Sequence, residues 1–173
     1  MMTFPNVQSA SAALFLTFAL AGAAPAEHLP EPHGPVILTV EGTIARTNGE
    51  GRARLDLQML RDIGETTITT DTIWTAGTSE FTGVALDDLL DYLGAEGQEI
   101  DARAINDYAV TVPIADAVEG GPILAYAMDG KTMSRRDKGP LWLIYPYASS
   151  STYRTEVIYA RSIWQLDRMT VLD

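Results

Sequence analysis

Six rings with polar tips, Trp142, Tyr145, Tyr147, Tyr153, Tyr159 and Trp164, fall within 23 residues near the C-terminus. Such rings stack on a flat, polar ligand and hydrogen-bond its edge. The same residue types favour strands and pack strand-rich cores, and Trp142 reads as core. Phe81 is the one phenylalanine beyond Phe18, so nearly every later ring carries a hydrogen-bonding atom. A second group is cationic: Lys131, Arg135, Arg136 and Lys138 lie within eight residues of a chain with a formal charge of −11. Guanidinium forks match planar oxyanions, whether on a ligand or on the protein's own carboxylates. A third group is Arg161-Ser162-Ile163-Trp164-Gln165. As a strand it sends Arg161, Ile163 and Gln165 to one face and Ser162 and Trp164 to the other. A ligand then meets only one set unless a bulge re-aims the chain. Asp107, beside Tyr108 at a strand entrance, suits either paired acceptance from an amidine-like edge or a turn. Asp87, Asp88 and Asp91 read as the solvated face of a helix.

Composition removes several chemistries. The chain has no cysteine, which excludes disulfides, thiol catalysis, and thiolate-ligated zinc or iron–sulfur centres. His28 and His33 are the only histidines, and neither a multi-histidine metal site nor a Ser–His–Asp triad is expected from them. With 12 Lys+Arg against 23 Asp+Glu, no nucleic-acid partner and no polybasic membrane contact are expected.

These residues need elements to position them. Ala10 to Ala24 is an uncharged apolar run, shorter than the ~20 residues that span a bilayer, and it ends in Ala24-Pro25-Ala26. Residues 1–26 therefore read as a signal peptide cleaved after Ala26, with no lasting membrane anchor, and the protein is expected to be periplasmic. The n-region carries no Lys or Arg, and an uncleaved anchor is the competing reading. Residues 27–35 read as an extended, solvated lead-in, and 36–173 as one domain. Val36 to Thr43 alternates as a strand, and Asn48-Gly49 with Gly51 marks a turn. Asp56 to Ile63 reads as a short helix and Thr66 to Thr70 as a strand leading to Trp74. From Ala85 to Leu93, apolar Leu86, Leu89, Leu90 and Leu93 predict a helix stopped by Gly94. Tyr108, Val110 and Val112 alternate up to Pro113, and Ile114 to Val118 suggests one helical turn. Ile123 to Met128 is a strand whose Asp129-Gly130 signals a hairpin. Leu141 to Tyr145 is apolar enough to be buried on both faces. The loop from Ala148 to Tyr153 is expected to lead into the final strand or strands, ending near Leu172. The expected fold is α+β and mainly β, with two or three short helices.

One ordered set of segments carries a resemblance. Phe81-Thr82-Gly83-Val84-Ala85-Leu86, then Leu89-Leu90 and Gly94, resembles the W-x-G-V-x-L-x-x-L-L…G segment of the sulfite-oxidase-type molybdopterin-binding domain. Asp107-Tyr108 before a strand, Ile123 to Tyr126 with Asp129-Gly130, and Lys138-Gly139-Pro140-Leu141-Trp142 through Pro146 follow in the same order. The resemblance implies a sulfite-oxidase-like fold with mixed sheets over about Val36 to Leu172. Enzymes of that family hold molybdenum through a cysteine upstream of the Gly-Val-x-Leu segment. Here the corresponding Thr66 to Trp74 offers Thr, Asp and Ile, and a hydroxyl is no substitute for a soft thiolate. The ending Tyr159 to Leu166 resembles small, cysteine-free periplasmic pterin-binding relatives of the PruR type, which work with a membrane receptor.

The expectation is thus a non-catalytic periplasmic protein that binds a pterin, reduced in form, and signals through the periplasmic domain of a membrane receptor. The alternative is a molybdopterin-dependent oxidoreductase or a subunit of one. By this resemblance the ligand site comprises Trp74, Asp107, Tyr108, Arg135, Tyr147, Arg161, Ser162 and Trp164. It has no catalytic residue and no metal, and pterin is preferred to molybdopterin as ligand.

Overall fold

The computed structural model describes residues 1–2 and 28–173; the expected signal peptide lies almost entirely outside the described residues. The chain runs β1 (Val36–Gly42), β2 (Ala53–Asp56), α1 (Leu57–Ile63), β3 (Thr66–Asp71), β4 (Thr78–Ala85) and α2 (Leu86–Leu93). It continues with β5 (Glu99–Ala104), β6 (Ala109–Pro113), β7 (Ile123–Met128), β8 (Lys131–Thr132), β9 (Leu141–Ile144), α3 (Glu156–Arg161) and β10 (Trp164–Leu172). Single 3-10 turns occupy Ile114–Asp116 and Ser151–Tyr153. The strands form one mixed sheet ordered β2-β1-β10-β9-β7-β4-β3, with β5 on β10, β6 on β5 and β8 on β7. Only β1 and β10 pair in parallel among the described strands. The fold is mainly β, as the sequence predicts.

Local chemistry accounts for most boundaries. Leu86, Leu89, Leu90 and Leu93 are the buried face of α2, and Gly94 ends it in the left-handed conformation. Asp87 departs from the expected solvated face: its Oδ1 is buried and has no hydrogen-bond partner among the described residues. Asp129 and Gly130 both have positive φ, which a two-residue hairpin between β7 and β8 demands. All four residues of β9 are buried, fitting its apolar run and its place between β7 and β10. Gly83 meets a steric demand, since a Cβ there would overlap the Leu124 carbonyl oxygen of β7. The close approach of β4 to β7 therefore requires glycine in this segment.

One expectation is refined and one changes. Residues 28–35 are largely exposed, as a solvated lead-in is, but they are anchored: Leu29 is buried, its N–H donates to the Thr47 carbonyl, and Asn48 Nδ2 donates to the Pro30 carbonyl. The stretch after Tyr153 is not all strand, because Glu156–Arg161 forms α3. Thr155 caps that helix by accepting from Ile158 N–H, and Glu156 adds a favourable charge in its first turn.

Asp56 joins the lead-in to the domain. Its Oδ1 accepts from Met59 N–H at 2.9 Å as the N-cap of α1, and its Oδ2 accepts from Gly34 N–H at 2.7 Å. Burial alone would raise its pKa; the backbone donors outweigh burial and hold the carboxyl below the ordinary 3.8. The carboxylate's contribution is therefore present above pH 3.8 and is lost as pH falls through the lower folded value. Asp56→Ala is expected to cost about 0.5–2 kcal/mol at neutral pH. Denaturant titrations should show that gap closing at acid pH, where the wild type loses the same contribution.

Candidate functional site

Three segments converge on one cleft. The first is the hairpin loop between β5 and β6. Asp107 N–H donates to the Ala104 carbonyl and Ala104 N–H to the Tyr108 carbonyl, with Asp107 at φ +66. Asp tolerates that left-handed position better than most residues. Ile105 N–H donates to the Gln165 carbonyl and so fixes this loop against β10. The second segment is the junction of α3 and β10. Register shifts between Trp164 and Leu166, and Gln165 lies at φ +54, so a bulge re-aims the chain. Gln165 also donates from its backbone to the Lys138 carbonyl and from Nε2 to the Arg135 and Asp137 carbonyls, clamping the basic loop beside the cleft. The third is the loop after β3, where Thr72 Oγ1 accepts from the N–H groups of Trp74 and Thr75.

The cleft has a volume of about 510 Å³ and is lined by Trp74, Ala104, Asn106, Tyr108, Tyr159, Ala160, Ser162, Ile163, Trp164 and Gln165. That size is in the range of small-molecule sites. Trp74 is its half-buried centrepiece, in edge contact with Trp142, Tyr147, Tyr159 and Trp164 at centroid distances of 5.7 to 6.3 Å. Trp164 is 38% exposed. Lys138 Nζ lies 4.5 Å from its ring centroid and 4.9 Å from that of buried Trp142, a double cation–π contact.

Of the eight residues expected at the site, Trp74, Tyr108, Ser162 and Trp164 line the cleft. Tyr147 is buried behind Trp74, its hydroxyl donating to Ser162 Oγ at 2.6 Å; Ser162 Oγ in turn donates to the Ile158 carbonyl, so this hydroxyl pair is internally engaged. Asp107 is exposed and paired with Arg168 at 2.9 Å, away from the lining. Arg161 is not on a strand: it ends α3, and its guanidinium grips both carboxylate oxygens of Asp116 at 2.9 and 3.2 Å. Arg135 is an exposed residue of the clamped loop whose side chain is not among the lining groups. Tyr159 and Asn106 also line the cleft: Tyr159 is among the six polar-tipped rings but not in the expected site, and Asn106 is in neither group. Tyr159 sits on the helix that reads as strand, and Asn106 occupies a loop whose course depends on β10.

The polar ring atoms divide by position. Behind the cleft, Trp142 Nε1 donates to the Ser162 carbonyl, Tyr145 to Asp116 and Tyr147 to Ser162. Along the cleft, the indole N–H groups of Trp74 and Trp164 and the hydroxyls of Tyr108 and Tyr159 have no hydrogen-bond partner among the described residues. Four rings thus present a stacking surface and free edge groups together.

Burial pushes the Tyr147 hydroxyl up to about 12, although the Ser162 hydrogen bond opposes the rise. Burial also raises Tyr145, further helped by the Asp116 carboxylate that accepts its proton. An unfolded tyrosine ionises near 10, so the stability that depends on neutral Tyr147 is present below pH 10 and is lost as pH rises through about 12. Denaturant midpoints measured across that window should fall less steeply for Tyr147→Phe than for the wild type.

Residues 44–153 match the family model of the oxidoreductase molybdopterin-binding domain. The chain belongs to this family. The family's mainly β, mixed-sheet fold is the one described above, and a general pterin- or molybdopterin-binding role follows from that membership. No curated protein matches the chain. Trp74, Asn106 and Tyr108 lie inside the matched span of this molybdopterin-binding domain, while Tyr159 to Gln165 lie beyond it.

The full molybdenum cofactor does not fit the donor set. The chain has no cysteine. In the segment Thr66 to Trp74, the Thr70 hydroxyl is fully buried, accepting from Ala148 N–H and donating to the Asp71 carbonyl. The soft thiolate by which the metal is held in enzymes of this family has no counterpart there.

Proposed function

We propose that this protein is an exported, non-catalytic binding protein for a reduced pterin, which it reports to the periplasmic domain of a membrane receptor. The observation that carries the reading is the set of four cleft rings with unpartnered polar tips, in a molybdopterin-binding domain without the thiolate that would make it an enzyme. A pterin is flat and polar around its whole edge. Stacking on Trp74 or Trp164 covers its faces, and indole N–H donors, tyrosine hydroxyls and the Asn106 amide meet its carbonyl, ring nitrogens and amino group. Because Asp107 and Arg161 are held by Arg168 and Asp116, edge recognition rests on these neutral groups.

The partner side of the proposal is supported by exposed apolar residues at the cleft. Ile105 and Tyr108 stand in the β5–β6 loop, Ile73 precedes Trp74, and Val157 lies two residues before Tyr159 on α3. The Asp71–Arg154 ion pair ties the segments that carry the last two. Exposed apolar side chains beside a ligand cleft are the kind of surface a protein partner covers, and a ligand in the cleft would change what that surface offers.

The test is direct. Protein purified from the periplasm should release, on denaturation and oxidation, a fluorescent pterin in near-stoichiometric amount, and the emptied protein should bind a tetrahydropterin saturably. An extract without pterin together with no saturable binding would overturn the reading, and molybdenum retained through purification would favour the oxidoreductase.

A further inference from the structure

The cleft rings do not end at the cleft. From Trp164 the contacts continue to Trp74 at 5.7 Å, to Tyr147 at 6.3 Å, to Tyr145 at 6.4 Å and to half-exposed Tyr153 at 6.0 Å. Tyr159 offers a parallel branch, 5.7 Å from Trp74 and 5.4 Å from Tyr147. Tryptophan and tyrosine are the side chains most readily oxidised by one electron without bond cleavage, and neighbouring rings in contact exchange electrons rapidly. A tyrosine gives up its electron easily only when its proton has somewhere to go. Tyr145 meets that condition: it is fully buried, its hydroxyl donates to Asp116 Oδ2 at 2.7 Å, and Arg161 holds Asp116 in place. Tyr147 donates instead to a neutral hydroxyl, which is a poor base.

We infer that the ring chain is a one-electron relay that moves oxidising equivalents from the cleft tryptophans to Tyr145, with Asp116 as proton acceptor. The oxidant is an oxygen-centred radical of the peroxyl class arriving at the exposed cleft. It takes one electron from Trp164 or Trp74 and, with a solvent proton, leaves as the hydroperoxide. The tryptophan radical cation is refilled through Tyr147 by one electron from Tyr145. The Tyr145 O–H bond breaks, its proton passes to Asp116, and the products are a neutral tyrosyl radical and a carboxylic acid. No oxygen atom is added to the protein, so the indoles that line the cleft are spared irreversible oxidation. The raised pKa of Tyr145 keeps the phenol protonated at rest, so the proton moves only with the electron. The relay depends on the ring contacts and on the Tyr145–Asp116 hydrogen bond, and stands whether or not the ligand is a pterin.

The full-length mature protein, without added ligand, is the sample. A photo-oxidised ruthenium tris-bipyridine complex supplies the oxidising equivalent, and freeze-trapped samples are read by electron paramagnetic resonance. Mass spectrometry measures oxygen addition to Trp74 and Trp164. In the wild type a tyrosyl signal should dominate. Tyr145→Phe should remove most of it and raise Trp74 and Trp164 oxidation several-fold, whereas Tyr92→Phe, outside the chain, should change neither. Asp116→Asn keeps the ring and removes the base, so it should also suppress the signal, and it remains informative if Tyr145→Phe folds poorly. A tyrosyl signal and tryptophan oxidation unchanged in Asp116→Asn would overturn the relay, as would loss of the signal in Tyr92→Phe.

Discussion

Trp142→Ala is expected to destabilise the protein by about 3–5 kcal/mol, the usual cost of truncating a buried tryptophan. Trp142 is fully buried on β9, the strand that joins β7 to β10. Its ring meets Phe81 at 5.5 Å, Trp74 at 5.7 Å and Trp164 at 6.2 Å, and Lys138 lies over it. Truncation opens a cavity among these rings and strips the Ser162 carbonyl of the indole N–H that satisfies it at 3.1 Å. Ser162 is buried, so that carbonyl adds a desolvation penalty of its own, about 1–3 kcal/mol in comparable cases. Trp142→Phe retains most of the packing and loses only the donor, so its thermal midpoint should fall between those of wild type and Trp142→Ala. Equal midpoints for wild type and Trp142→Ala would mean that the cluster does not bear on folding.

The elements that sequence reveals here are those with strong local signals. The leucines of α2 repeat at helical spacing, and Asp129-Gly130 has the backbone freedom that its hairpin needs. α3 was hidden because Val157, Ile158 and Tyr159 are strand-favouring residues in a six-residue helix. Its capping signal, Thr155 followed by Glu156, is short enough to pass for loop chemistry. β4 shows the opposite case: glycine by itself weakens a strand, yet Gly83 is what lets β7 approach.

The cleft divides along the same line. Aromatic side chains can be nominated from the sequence because their chemistry does not depend on a partner. Charged residues cannot, since their availability is decided by a counter-ion far along the chain. Asp107 is taken by Arg168 and Arg161 by Asp116, at separations of 61 and 45 residues. Ser162 is spoken for in a similar way by Tyr147. What sequence alone leaves open is therefore which polar groups remain unspent after folding, and in this cleft those are the ring tips.

Trp164→Ala should separate binding from folding. At 38% exposed, Trp164 has solvent on part of its ring, and its remaining surface meets Trp74, Trp142 and Lys138. Loss of two edge contacts between rings is expected to cost about 1–3 kcal/mol of stability, below the figure for Trp142. The effect on ligand affinity should be larger in proportion. A ring stacked on a planar heterocycle contributes about 1–3 kcal/mol, so the tetrahydropterin Kd should rise by roughly 5- to 150-fold. Trp164→Phe retains a stacking face but removes the unpartnered indole N–H, and should recover only part of the affinity. Calorimetric titration beside thermal melts distinguishes the cases. If Trp164→Ala melts several kcal/mol early while Kd is unchanged, Trp164 is a structural residue and the ligand lies elsewhere. If both affinity and stability are untouched, neither the cleft nor its proposed stacking wall survives.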